Sequence, residues 1–120
     1  MKLVIKRDQA DVKGLFGGHK GVSFSLYTRA EITSEERELI ERYNVGSYTM
    51  ASYEDTVGLF EKQPVEVTYS VSDLVNGKTT EMSSIVALMD LEESIKGACR
   101  NLKILLSVMS TFGGEEVTEI

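Results

Sequence analysis

The chain is expected to fold as a single α+β domain over residues 1–120: a largely antiparallel β-sheet packed against one long C-terminal helix and one short helix. Two stretches carry this expectation. Residues 21–32 alternate apolar and polar side chains with a period of two, and residues 90–111 repeat apolar side chains at helical spacing. Length agrees with both: 120 residues make one domain, and 42% hydrophobic with 27% charged residues is ordinary globular composition.

The elements follow in order. Residues 2–6 read as a short strand with Leu3 and Ile5 inward, and residues 8–20 as a polar, glycine-rich loop. In the long strand, Val22, Phe24, Leu26, Ala30 and Ile32 share one face. Ser23, Ser25, Tyr27, Arg29 and Glu31 share the other, the pattern of a sheet with one buried side. Thr33 with Glu36 forms a capping box that starts a helix near residue 34. Leu39, Ile40 and Tyr43 supply its inner face, and it ends near Asn44 with Gly46 just beyond. Residues 47–53 read as a further strand, and 54–63 give no clear signal. Pro64 opens the next strand, in which Val65, Val67, Tyr69 and Val71 alternate with polar residues. Ser72–Val75 can form one helical turn. Asn76-Gly77 is a turn signal, after which residues 78–82 return as a short strand. The long helix begins near Ser84. Its apolar stripe is Leu91, Ile95, Ala98, Leu102, Leu105, Leu106 and Met109, and Gly113-Gly114 stops it. The last six residues, EEVTEI, read as a final strand.

Composition excludes several chemistries. One cysteine, Cys99, cannot form an intrachain disulfide, and one histidine with one cysteine cannot hold a structural zinc ion. No metal or cofactor is expected. No apolar run is long enough to span a bilayer, and the first nine residues lack a signal peptide's apolar segment, so a cytoplasmic protein with no membrane partner is expected. The net charge of −6 is uneven: residues 1–30 carry six basic and two acidic residues, the rest seven and seventeen. An acidic bulk disfavours nucleic acid as a partner, while the basic first quarter leaves room for a local anion site.

GLFGGHKG, residues 14–21, is the most conspicuous motif. Glycine-freed amides can cradle an anion, with His19 and Lys20 adding charge. It is neither a Walker A motif nor a dinucleotide fingerprint, because a strand follows where a helix belongs. The plainer reading is a turn into the long strand. On the long helix, Lys96, Arg100 and Lys103 form a basic ridge, either a grip for an anion or a solvated face paired with Glu92 or Glu93. Cys99 beside them is expected to be a small core residue rather than a reactive thiol. A second, weaker stripe of Gly97, Asn101, Ile104 and Val108 lies away from the main one. Either the short helix covers it or a second copy of the chain does; a glycine within a helix favours close approach of another backbone.

These features lead to a non-enzymatic, homo-oligomeric binding or interaction module. Its partners would be itself, another protein, or a small anionic, nucleotide-like ligand held at a subunit boundary. His19, Lys20, Arg29 and Arg100 would then supply charge, with Tyr27, Tyr48 or Tyr53 stacking. Gly97, Asn101, Ile104 and Val108 would form the oligomer interface. Two alternatives stand beside it: a small enzyme with His19 as general base and Asp8, Asp11 or a glutamate as partner, and an RNA contact through the basic N-terminal segment.

Overall fold

The computed structural model describes residues 1–13, 19–57 and 63–120; the side chains of residues 13, 19, 20, 55–57 and 63–65 lie outside the description. Two antiparallel sheets, a long helix and a short one confirm the α+β class, with one further helical turn.

Strands β1 (Lys2–Lys13) and β2 (His19–Glu31) pair from Lys2 opposite Glu31 to Lys13 opposite His19, with a register shift at Val12/Lys13. The first strand is thus more than twice as long as expected, and residues 8–13 and 19–20 are strand rather than loop. The reason is backbone bonding: a long partner strand offers donors and acceptors to every residue opposite it, polar or not. The glycine-rich residues 14–18, and with them the choice between anion nest and turn, lie outside the described residues.

The expected faces of β2 hold. Leu26, Thr28 and Ala30 are buried, with Phe24 partly covered. Opposite them on β1 stand Leu26's partner Arg7, Thr28's partner Ile5 and Ala30's partner Leu3. The helix α1 (Ser34–Tyr43) starts with the capping box: Glu36 N–H donates to Thr33 Oγ1 at 3.1 Å, and Thr33 N–H donates to Glu36 Oε1 at 3.0 Å. It stops at Asn44, which takes the left-handed conformation (φ 54°) that Asn tolerates. Gly46 serves a different end: a Cβ there would lie 2.7 Å from Ser72 Oγ, and its carbonyl accepts the Ser72 N–H at 2.9 Å.

Strands β3 (Thr49–Val57) and β4 (Gln63–Ser70) form a separate two-stranded sheet. The helical turn α2 (Val71–Asn76) follows, opened by a second capping box between Ser70 and Asp73. Gly77, at φ +95°, ends that helix; the Asn76-Gly77 signal is not a hairpin between neighbouring strands. Strand β5 (Lys78–Met82) pairs with β2 instead, from Phe24 opposite Met82 to Thr28 opposite Lys78, giving the order β1-β2-β5.

The helix α3 (Ile85–Thr111), capped by Ser84, packs against β2 and β5 of one sheet, β3 of the other, and α1. Leu91, Ile95 and Leu102 are fully buried, and around them lie Leu26, Tyr69, Val71 and Leu74. Residues 115–120 are exposed coil, not a strand. With three glutamates in six residues, that segment has too little apolar surface to hold a sheet edge. The molecule is elongated, 67 × 35 × 19 Å, with a radius of gyration of 18.5 Å. A compact chain of this length would have about 14 Å.

Two buried hydroxyls differ in their bonding. Tyr69 Oη and Thr80 Oγ1 share a short hydrogen bond linking β4 to β5, whereas buried Thr28 Oγ1 has no partner among the described residues. Tyr69→Phe leaves Thr80 unsatisfied and should cost about 1–3 kcal/mol in urea denaturation, while Thr28→Val, which removes an unpaired group, should be neutral or stabilising by about 1 kcal/mol.

Candidate functional site

The residues expected to hold an anion do not converge. His19 lies at the far end of the β1–β2 ladder, opposite Lys13, and Lys20 is its neighbour. Arg29 is ten residues further along the same strand, roughly 33 Å away at the rise of an extended chain. Arg29 shares the outer parity of β2 with Tyr27, whereas Arg100 belongs to α3, which packs on the inner face. Arg29 is also engaged, its guanidinium 3.1 Å from Glu31 Oε1.

The tyrosines do not form one stacking pocket either. Tyr27 stands against Gly77, where a Cβ would lie 2.9 Å from the ring's Cζ, and Lys6 Nζ sits 5.6 Å from the ring centroid. The tip of the ring is therefore against Gly77 and Lys6 lies over the ring. Tyr48 is exposed before β3, and its carbonyl accepts the Val71 N–H at 2.9 Å. Tyr53, opposite Val67, packs partly buried against the core.

What the fold does assemble lies along the junction of β1 and α3. The two run past each other so that Arg7 meets Glu92, a pair 85 residues apart in sequence. Arg7 Nε donates to Glu92 Oε1 at 2.6 Å and Nη2 to Oε2 at 3.0 Å, a two-pronged contact that fits the planar guanidinium. Lys96 Nζ adds a third contact, 3.4 Å from Glu92 Oε2, and lies 3.3 Å from Glu93 Oε1. The Glu92 side chain is only 13% exposed, so its charge depends on these partners. The hydrogen bond from Arg7 is the chief reason its carboxyl is held below the usual carboxylate range; burial opposes this, and Lys96 assists. A sequence signal existed: Arg7 has the inward parity of Leu3 and Ile5, a position where a charge needs a partner.

On either side of this pair the junction opens into a cleft. One, of about 270 Å³, lies between Phe24 and Leu26 on β2 and Ile85 and Met89 at the start of α3, with Arg7 and Glu92 at its edge. The other, of about 240 Å³, lies between Lys2 and Leu3 on β1 and Lys96, Cys99, Arg100 and Lys103 on α3. The basic ridge therefore does meet the basic start of the chain, at Lys2. Lys96 takes the pairing expected with Glu92 and Glu93. Cys99 is buried, and desolvation pushes its thiol above the ordinary range, with Arg100 opposing in part.

The outward side of α3 carries the second stripe. Gly97 is partly covered, Asn101 is exposed, and Ile104 and Val108 are 61% and 46% exposed. The short helix does not cover them: α1 buries Ile40, and Tyr43 Oη donates to the Met109 carbonyl at 3.1 Å on the core side. A Cβ at Gly97 would meet only the Arg100 guanidinium, at 3.8 Å, so the chain's own packing does not require glycine there.

Among the described residues no cluster of three metal-ligating side chains occurs, and no helix is long and apolar enough to cross a membrane. Comparison with protein-family models, curated proteins and solved structures finds no match.

Two measurements test the electrostatics. Glu92 is more acidic folded than unfolded, so as pH falls the unfolded chain takes up its proton first. Its stabilisation is complete above the ordinary carboxylate range and lost as pH falls through its lowered folded value. The melting-temperature difference between wild type and Glu92→Gln should therefore be largest near pH 7 and shrink on acidification. A buried, protonated Cys99 should react with a disulfide reagent at neutral pH at least about tenfold more slowly than the same thiol in denaturant.

Proposed function

We propose that the protein is a self-associating interaction module without chemistry of its own, in which the outward face of α3 pairs with the same face of a second copy. The observation that carries this reading is the stripe Gly97, Asn101, Ile104 and Val108, whose two large apolar side chains stay exposed and whose glycine is only partly covered among the described residues. Its spacing of four, three and four is the same read in either direction. An antiparallel pair about a twofold axis midway between Asn101 and Ile104 sets Val108 of each copy against Gly97 of the other, a large side chain against an open one. That arrangement gives the glycine a use. Within a helix it costs about 1 kcal/mol relative to alanine, and intrachain packing does not repay it.

The two alternatives have less support. General-base chemistry at His19 needs an orienting acid and a nucleophile held together; Asp8 lies on the outer face of β1 several residues from the end of the ladder, and Asp11, opposite Val22, is the nearer acid. An RNA contact draws on free cations in the first quarter, and three of its six basic residues are engaged: Arg7 by Glu92, Lys6 by the Tyr27 ring and Arg29 by Glu31.

Sedimentation equilibrium and native mass spectrometry should find a dimer at micromolar concentration. Ile104→Glu with Val108→Glu should convert it to a folded monomer, because both side chains are exposed in the single chain. Gly97→Leu should do the same by filling the hollow that Val108 enters. A monomeric wild type would remove the reading.

A further inference from the structure

The cleft between Lys2 and the middle of α3 has a charge pattern that its own chain leaves unbalanced. Arg100 follows Lys96 by four residues and Lys103 follows Arg100 by three, so the helix stacks three cations on adjacent turns. Like charges at these spacings repel and weaken a helix. The strand adds a fourth at Lys2. Lys96 is neutralised by Glu92 and Glu93; Lys2, Arg100 and Lys103 have no acidic partner among the described residues. This occurs in a chain with nineteen acidic residues and a net charge of −6, so acids were not scarce. The cleft is open, about 240 Å³, and beside the cations it is lined by Met1, Leu3 and Cys99.

We propose that this cleft binds the phosphate group of a small phosphorylated molecule, held by Lys2, Arg100 and Lys103. Three unpaired cations around one hollow match a dianion better than a single carboxylate, and the Arg100 fork suits two phosphate oxygens. Met1, Leu3 and Cys99 offer contact to an aliphatic or sugar body. The lining contains no aromatic ring, so recognition of a nucleobase by stacking is not part of the site. The proposal is independent of self-association, since the cleft is complete within one chain. Arg100 lies on the flank of α3 between the cleft and the outward stripe.

The test is an amide NMR titration of the full chain with inorganic phosphate and with pyrophosphate, at ionic strength held constant with sodium chloride. The expected result is saturable shifts centred on residues 2–3 and 96–103. Arg100→Ala with Lys103→Ala should weaken binding at least about tenfold with the spectrum otherwise native. Arg29→Ala, on the other sheet face and paired with Glu31, should leave binding unchanged. Shifts that stay linear, or saturation that the double variant does not alter, would overturn the proposal. So would saturable binding of a single-stranded RNA oligomer where neither phosphate nor pyrophosphate binds, which would make the cleft a backbone contact for nucleic acid.

Discussion

Everything in this fold leans on one apolar face of α3. Neither sheet is self-sufficient: one has three strands and the other only two, and a two-stranded ribbon is marginal in water. Leu91, Ile95 and Leu102 of α3 are fully buried, and the helix packs against β2 and β5 of one sheet and β3 of the other. A single helix thus supplies the shared core of two sheets that exchange no ladder hydrogen bonds. Truncating one of those side chains to alanine removes packing from both at once, at a cost of about 2–5 kcal/mol, a large share of a small domain's stability.

Electrostatics is organised around the same helix. Glu92 is drawn on by Arg7 from β1 and by Lys96 from its own helix, so one carboxylate divides the junction into an apolar cleft and a basic one. Arg7 is thereby fixed to the protein instead of to a ligand. Lys6 and Arg29 are settled in the same way on the opposite sheet face. Half of the six basic residues of the first quarter are thus engaged within the fold, and among the described residues Lys2 is left unbalanced where β1 begins beside the middle of α3.

The elements with strong local signals were legible. Period-two alternation placed β2, the Thr33–Glu36 box placed the start of α1, and the apolar stripe placed α3 and its buried residues. What could not be read was decided by partners distant in sequence. Residues 8–13 look like loop because their side chains are polar, but a strand needs only a backbone facing it. Asn76-Gly77 looks like a hairpin turn, yet it closes α2, which separates β4 from β5, and β5 pairs with β2. The closing EEVTEI has only Val117 and Ile120 as apolar residues, three apart, and so no apolar face to lay on a sheet. At the candidate site, the ridge on α3 was readable from helix spacing alone. Its meeting with Lys2, and the ion pair between Arg7 and Glu92, depend on a crossing that no local pattern encodes. Arg29 and Arg100 were grouped by charge, and the sheet lies between them.

The unequal lengths of β2 and β5 have a kinetic consequence. β5 reaches only as far as Met82, opposite Phe24, so β2 is a central strand from Phe24 to Thr28 and one half of a bare ribbon from His19 to Ser23. Amide hydrogens at Leu26 and Thr28 lie in the part of β2 that packs on α3, and their exchange requires disruption of the core. Those at Val22 and Ser23 are opposed only by β1, and can open while the core stays intact. A single continuous strand therefore spans two regimes of exchange, one coupled to global unfolding and one to local fraying, with the boundary set where the third strand ends.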